Sequence, residues 1–64
     1  MAIKNKLLKN TIYETWQKHE EDWMFIGWLP IDPSKLVVKS EDSIYIYATH
    51  TRIDGIIDEY RFRK

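Results

Sequence analysis

Two histidines, ten carboxylates and no cysteine are the side chains from which this 64-residue chain would have to build a catalytic or metal site. His19-Glu20-Glu21-Asp22 is the densest run of metal-capable groups. On a helix, adjacent side chains diverge, so only His19 and Asp22, at i and i+3, would share an ion. His50 stands alone in a stretch rich in Ile, Tyr and Thr. Without cysteine there is no thiolate nucleophile, no disulfide framework and no Cys-based metal site. Gly27 and Gly55 are the only glycines, which excludes a Gly-rich phosphate loop. There is no serine elbow and no His-Glu-x-x-His pattern. A chain this short rarely encloses a water-excluding pocket. The expectation is a non-catalytic protein without a metal or cofactor.

The residues suited to recognition are the aromatics. Nine occur, three Trp, four Tyr and two Phe. Trp and Tyr concentrate where protein interfaces have their energetic centres. Trp23, Trp28, Tyr45, Tyr47, Tyr60 and Phe62 are the candidate partner-binding residues. A second set is basic. Net charge is zero, yet all ten acids fall between residues 14 and 59, together with only four bases. Lys4, Lys6 and Lys9 precede that span, and Arg61, Arg63 and Lys64 follow it. If the termini are neighbours, as is common in small domains, they form one basic patch. Beside Tyr47 and Tyr60 such a patch would suit single-stranded nucleic acid. The simpler reading is that terminal charges keep an edge strand soluble.

These side chains must be positioned by few elements. The spacing of Leu8, Ile12, Trp16 and Trp23 is four, four and seven, which lies along a helical stripe. Thr11 and Glu14 fit a capping box, and Glu14 with Lys18 forms a favourable i,i+4 pair. The competing reading is a strand through 11–16, whose residues favour extended structure. Pro30-Ile31-Asp32-Pro33-Ser34 divides the chain, because each proline pushes its predecessor out of the helical region. Residues 23–29, with Gly27 at a bulge, and residues 35–39 read as strands. Ser40-Glu41-Asp42-Ser43 reads as a turn. Residues 43–53 and 56–63 read as strands joined by Asp54-Gly55. As a two-residue type I′ turn, Asp54-Gly55 sets Thr51 opposite Asp58, His50 opposite Glu59, Thr49 opposite Tyr60 and Tyr47 opposite Phe62.

The expected fold is therefore α+β, a single domain over residues 1–64. One amphipathic helix packs on an antiparallel sheet of three or four strands. The alternative is a small all-β barrel, SH3-like or OB-like, with residues 11–29 as a hairpin. In either fold both sheet faces carry large apolar side chains, while one short helix covers only one face. An apolar, aromatic face left open in the monomer marks an interaction site.

No apolar run approaches the ~20 residues that a membrane span needs, and no secretory leader is legible at the start. A cytoplasmic setting is expected, with no membrane partner. Nine Ile against two Ala resemble coding in an AT-rich genome. Size and composition together suit a phage- or mobile-element-encoded inhibitor or regulator of a host protein. Three functional classes follow. The first is a protein-binding module, the second a single-stranded nucleic-acid binder using its basic termini, and the third a structural homodimer.

Overall fold

The computed structural model describes residues 7–64, and over that span the chain is all-β. Five strands form one antiparallel sheet: β1 (Ile12–His19), β2 (Asp22–Pro30), β3 (Val37–Glu41), β4 (Tyr45–Thr51) and β5 (Ile57–Arg63). Their spatial order is β2-β1-β5-β4-β3, so the first and last strands pair at the centre of the sheet. A single 3-10 turn at Pro33–Lys35 links the two edge strands.

The expected helix is absent, and the α+β assignment is corrected to the all-β alternative. Residues 12–19 and 22–30 pair as a hairpin, with His19 opposite Asp22 and Tyr13 opposite Leu29. The spacing that suggested a helix is ambiguous. Ile12 and Trp16 are four apart, which is the same face on a strand as well as on a helix. The residues between them settle it. Tyr13 and Thr15 alternate with Ile12, Glu14 and Trp16, and only Tyr13 and Thr15 are buried. The helical reading of 17–22 fails because the hairpin turns there. Glu20 takes a positive φ of 57° in the two-residue connection between His19 and Asp22, as mirror-image hairpin turns require.

The register of the β4–β5 hairpin is also corrected. Asp54-Gly55 does not make a two-residue type I′ turn. The Gly55 amide donates to the Arg52 carbonyl at 2.9 Å, and the Arg52 amide donates to the Ile56 carbonyl at 2.7 Å. Gly55 has φ +91° while Asp54 stays at negative φ. This is a three-residue connection, a tight turn followed by a left-handed glycine. The Asp54 carboxylate caps it by accepting from the Ile56 amide at 3.0 Å. One extra residue in the loop slips the ladder by one. His50 now faces Asp58 rather than Glu59, Thr49 faces Glu59, Ala48 faces Tyr60 and Ile46 faces Phe62. Tyr47 faces Arg61 rather than Phe62. A slip of one residue moves every side chain of a strand to the other face of the sheet relative to its partner.

Gly27 does sit at a bulge, between the pairs Thr15 with Gly27 and Trp16 with Phe25. Its φ is +132°, and an added Cβ would meet only the Leu29 side chain at 3.6 Å. Backbone conformation, not crowding, requires glycine here.

The core is small. Leu7, Tyr13, Ile46, Ala48 and Phe62 are buried, and Ile31, Leu36, Val38 and Tyr60 pack around them. Tyr13 and Phe62 meet edge to face with centroids 6.0 Å apart. Thr15 is the one buried polar residue among those described, and its hydroxyl donates to the Tyr13 carbonyl at 2.9 Å. The Tyr13 hydroxyl accepts from the Leu8 amide at 2.8 Å, which ties the segment before β1 to the core.

Candidate functional site

The slipped register sorts the aromatics onto two faces. Tyr13, Tyr60 and Phe62 go to the core face. On the other face, the pairs Trp16 with Phe25, Lys18 with Trp23, Glu14 with Trp28, Trp16 with Arg61, Tyr47 with Arg61, and Tyr45 with Arg63 place six of the nine aromatics. Of the six candidate partner-binding residues, Trp23, Trp28, Tyr45 and Tyr47 lie on this aromatic face. Tyr60 and Phe62 do not. Phe62 is 1% exposed and belongs to the core. Tyr60 is half-buried and stacks on Phe62 with centroids 6.2 Å apart.

Arg61 stands at the centre of the aromatic face, carried by β5 between Trp16 on β1 and Tyr47 on β4. Its guanidinium lies 4.8 Å from the Trp16 ring centroid, 4.9 Å from Trp23 and 4.2 Å from Tyr45. The rings also touch one another. Trp16 meets Phe25 at 5.4 Å, Trp23 meets Tyr47 at 5.8 Å and Tyr45 meets Tyr47 at 6.3 Å. A cation over a ring face is attracted by the ring quadrupole, and a planar guanidinium also stacks. Four strands therefore converge on one side chain. Trp16 and Phe25 are the rings of this cluster missing from the six candidates, and Arg61 was a candidate only in the basic patch of the nucleic-acid alternative. The signal for Trp16 and Arg61 was present in the strand alternation Glu14-Trp16-Lys18 and in the sequence Arg61-Phe62-Arg63, where alternate residues must face opposite ways.

Acidic groups hold the cluster at its edges. Trp16 Nε1 donates to Glu14 Oε2 at 3.0 Å. The Tyr47 hydroxyl donates to Asp42 Oδ2 at 2.8 Å. Asp42 also accepts from the Ile44 amide at 2.8 Å and the Tyr45 amide at 2.7 Å. The Tyr45 and Ile44 amides and the Tyr47 hydroxyl hold the Asp42 carboxyl below the usual carboxylate range. The same hydrogen bond to Asp42, reinforced by burial, raises the Tyr47 phenol. Arg61 itself has no carboxylate within ion-pair distance among the described residues. Its Nε is buried without a hydrogen-bond partner. The face thus presents a half-buried guanidinium framed by rings, with no counter-anion of its own. Trp28, 64% exposed, extends the face along β2.

The basic residues do not gather as expected. Lys4 and Lys6 lie outside the described residues. Arg61 is enclosed by rings. Lys64 Nζ is committed to the Glu41 carboxylate at 2.6 Å and to the Asp42 carbonyl at 2.6 Å. Arg63 and Lys64 share a hollow of about 290 Å³ with Trp28 and Glu14. Lys9 is exposed and contributes to lowering the Asp32 carboxyl, chiefly held down by the Ser34 hydroxyl and amide. A second hollow of about 290 Å³ opens on the core side, lined by Ile26, Leu29, Leu36, Tyr60 and Phe62 with His50 at its wall. Burial there raises the Tyr60 phenol. His19 lies at the β1–β2 turn, opposite Asp22. Among the described residues no group of three or more His, Cys, Asp and Glu could hold a metal ion, and no helix is long and apolar enough to cross a membrane.

No protein-family profile, curated protein or solved structure matches the chain.

Proposed function

We propose that the chain is a non-catalytic protein-binding module that docks a partner protein on its aromatic face. Trp16, Trp23, Tyr45, Tyr47 and Arg61 form the energetic centre, and Phe25 and Trp28 form the rim. The observation that carries this reading is the Arg61 guanidinium, 4.2–4.9 Å from three rings, with no carboxylate paired to it. Trp, Tyr and Arg are the residues that dominate binding energy where they cluster. A partner carboxylate or carbonyl would complete the hydrogen bonding of Arg61, and a hydrogen bond to a charged group contributes about 1.5–3 kcal/mol.

The charge around the rings favours a protein over single-stranded nucleic acid. Glu14 and Asp42 stand at the ring edges, where a phosphate backbone would have to run. A small chain acting by covering a surface suits an inhibitor or regulator, and a phage or mobile-element origin acting in a host cytoplasm is consistent with its size and composition.

The test compares proteins retained on the immobilised chain with those retained on Trp23→Ala and Tyr45→Ala variants. Truncating a true anchor weakens binding by at least ~2 kcal/mol, roughly 30-fold. If both variants keep the native circular dichroism and retain the same proteins with the same affinity, the reading is wrong. Salt separates the classes. Binding through rings changes little with added salt, whereas phosphate contacts give a steep loss.

A further inference from the structure

The two edges of the sheet are built differently. β3 is five residues long, bulged between Val38 and Ser40, and carries Lys39 and Glu41, with Lys64 bonded to Glu41. Short length, a bulge and charges are the usual guards against edge pairing. β2 is bulged too, at Ile26–Gly27, but it has nine residues and no charged residue between Trp23 and Leu29. Met24, Phe25, Ile26, Trp28 and Leu29 are 52%, 49%, 40%, 64% and 37% exposed. They lie on both faces of the strand, so the aromatic face alone does not account for them. Among the described residues, the outer backbone edge of β2 pairs with no other strand.

We infer that the free β2 edge is a self-association site, where two copies pair β2 against β2, antiparallel, about a two-fold axis. Three features select a second copy as the occupant. The first is charge. Asp22 is the only charged residue on β2 and lies at its end, so antiparallel pairing sets the two Asp22 carboxylates at opposite ends, some ~25 Å apart at the rise of an extended strand. The zero net charge of the chain adds no repulsion. The second is closure. One open edge and one guarded edge give an isologous dimer that stops at two copies rather than a growing fibre. The third is area. Complete burial of five such side chains on each copy would remove at most roughly 1,000 Å² from water, the threshold for a specific interface. The dimer is accordingly weak, with Kd in the micromolar range. This association uses the strand edge and leaves the Arg61 cluster facing solvent, sharing with the proposed partner docking only the rim residues Phe25 and Trp28.

Sedimentation velocity from micromolar to millimolar concentration tests it, on the parent chain, on Met24→Lys/Trp28→Lys and on Tyr45→Ala. The exposure of Met24 and Trp28 lets the lysines be accommodated without touching the core, which circular dichroism verifies. The expected result is a concentration-dependent dimer for the parent and for Tyr45→Ala, and a monomer throughout for the edge variant. Isotope-filtered NOEs in a mixed-label sample should fall on residues 23–29. A parent chain that is monomeric up to millimolar concentration overturns the inference. So does a dimer that survives the two lysines, or one whose intermolecular NOEs fall on Tyr45, Tyr47 and Arg61. If the edge variant loses solubility or fold, the filtered NOEs of the parent chain alone decide.

Discussion

Adjacent residues on β5 have opposite fates. Phe62 is enclosed, while its neighbour Arg61 is flanked by rings on the face that stays open. Replacing Phe62 removes the largest fully buried side chain of a five-residue core, and Phe→Ala at such sites costs about 3–5 kcal/mol. That equals the whole margin of about 3–5 kcal/mol that a single core supplies at this size. Phe62→Ala is therefore expected to be unfolded by circular dichroism at room temperature. Tyr45→Ala, which removes a half-buried ring from the Arg61 cluster, should keep a cooperative melt, with a loss near the ~1–2 kcal/mol of a desolvated cation–ring contact. Equal destabilisation by the two substitutions would contradict the division into core and docking face. It also means that a Phe62 variant is unsuitable as a binding control, because it tests folding.

At the scale of the element, the β3–β4 turn links pH to the aromatic face. Asp42 accepts from two turn amides and from Tyr47, and its pKa is lowered from the ordinary 3.8. A carboxyl whose folded pKa is depressed stabilises the fold above its unfolded pKa and loses that contribution as pH falls through the folded value. Asp32 and Asp58 are lowered too, by Ser34 and by Arg52 respectively, and act in the same direction. Stability should thus decline as pH drops below about 3.8, and Asp42→Asn should make that decline shallower. Chemical denaturation at pH 6 and pH 3 reads both slopes; identical slopes would remove Asp42 from the account. Elements were also where the sequence was most and least legible. Segments 23–29, 43–53 and 56–63 were recognisable as strands from their apolar and β-branched content, and Gly27 as a bulge, whereas the strand expected at 35–39 runs Val37–Glu41, taking Ser40-Glu41 from the expected turn and leaving Lys35 to the 3-10 turn. Residues 12–19 were not, because a four-residue spacing is common to both periodicities. The Asp54-Gly55 register was missed for a different reason. The same dipeptide serves a two-residue turn and a three-residue turn closing on glycine. Nothing local distinguishes them, and the choice is made by what the ladder buries. The observed register puts Ile46, Ala48 and Phe62 together in the core, where the expected one would have set Ile46 and Ala48 against Arg63 and Arg61.

At the scale of the whole molecule, the five-stranded sheet, with no covering helix among the described residues, exposes more large apolar side chains than it buries. That surplus was legible from composition and alternation alone. Its location was not, because it depends on the hairpin register and on the central pairing of β1 with β5, which joins segments more than forty residues apart. Four of the six aromatics singled out from sequence lie on the open face, and the cation at its centre had been grouped with the termini as a phosphate contact. The chain answers its surplus by stacking rings on a guanidinium rather than on another layer of structure. The most direct test of that arrangement is the NOE pattern of Arg61 in the free protein by nuclear magnetic resonance. The account predicts ring-current-shifted Arg61 δ-protons with NOEs to the Trp16, Trp23 and Tyr45 rings. Arg61 protons at unshifted positions, with Tyr47 ring contacts to Phe62 instead, would contradict it.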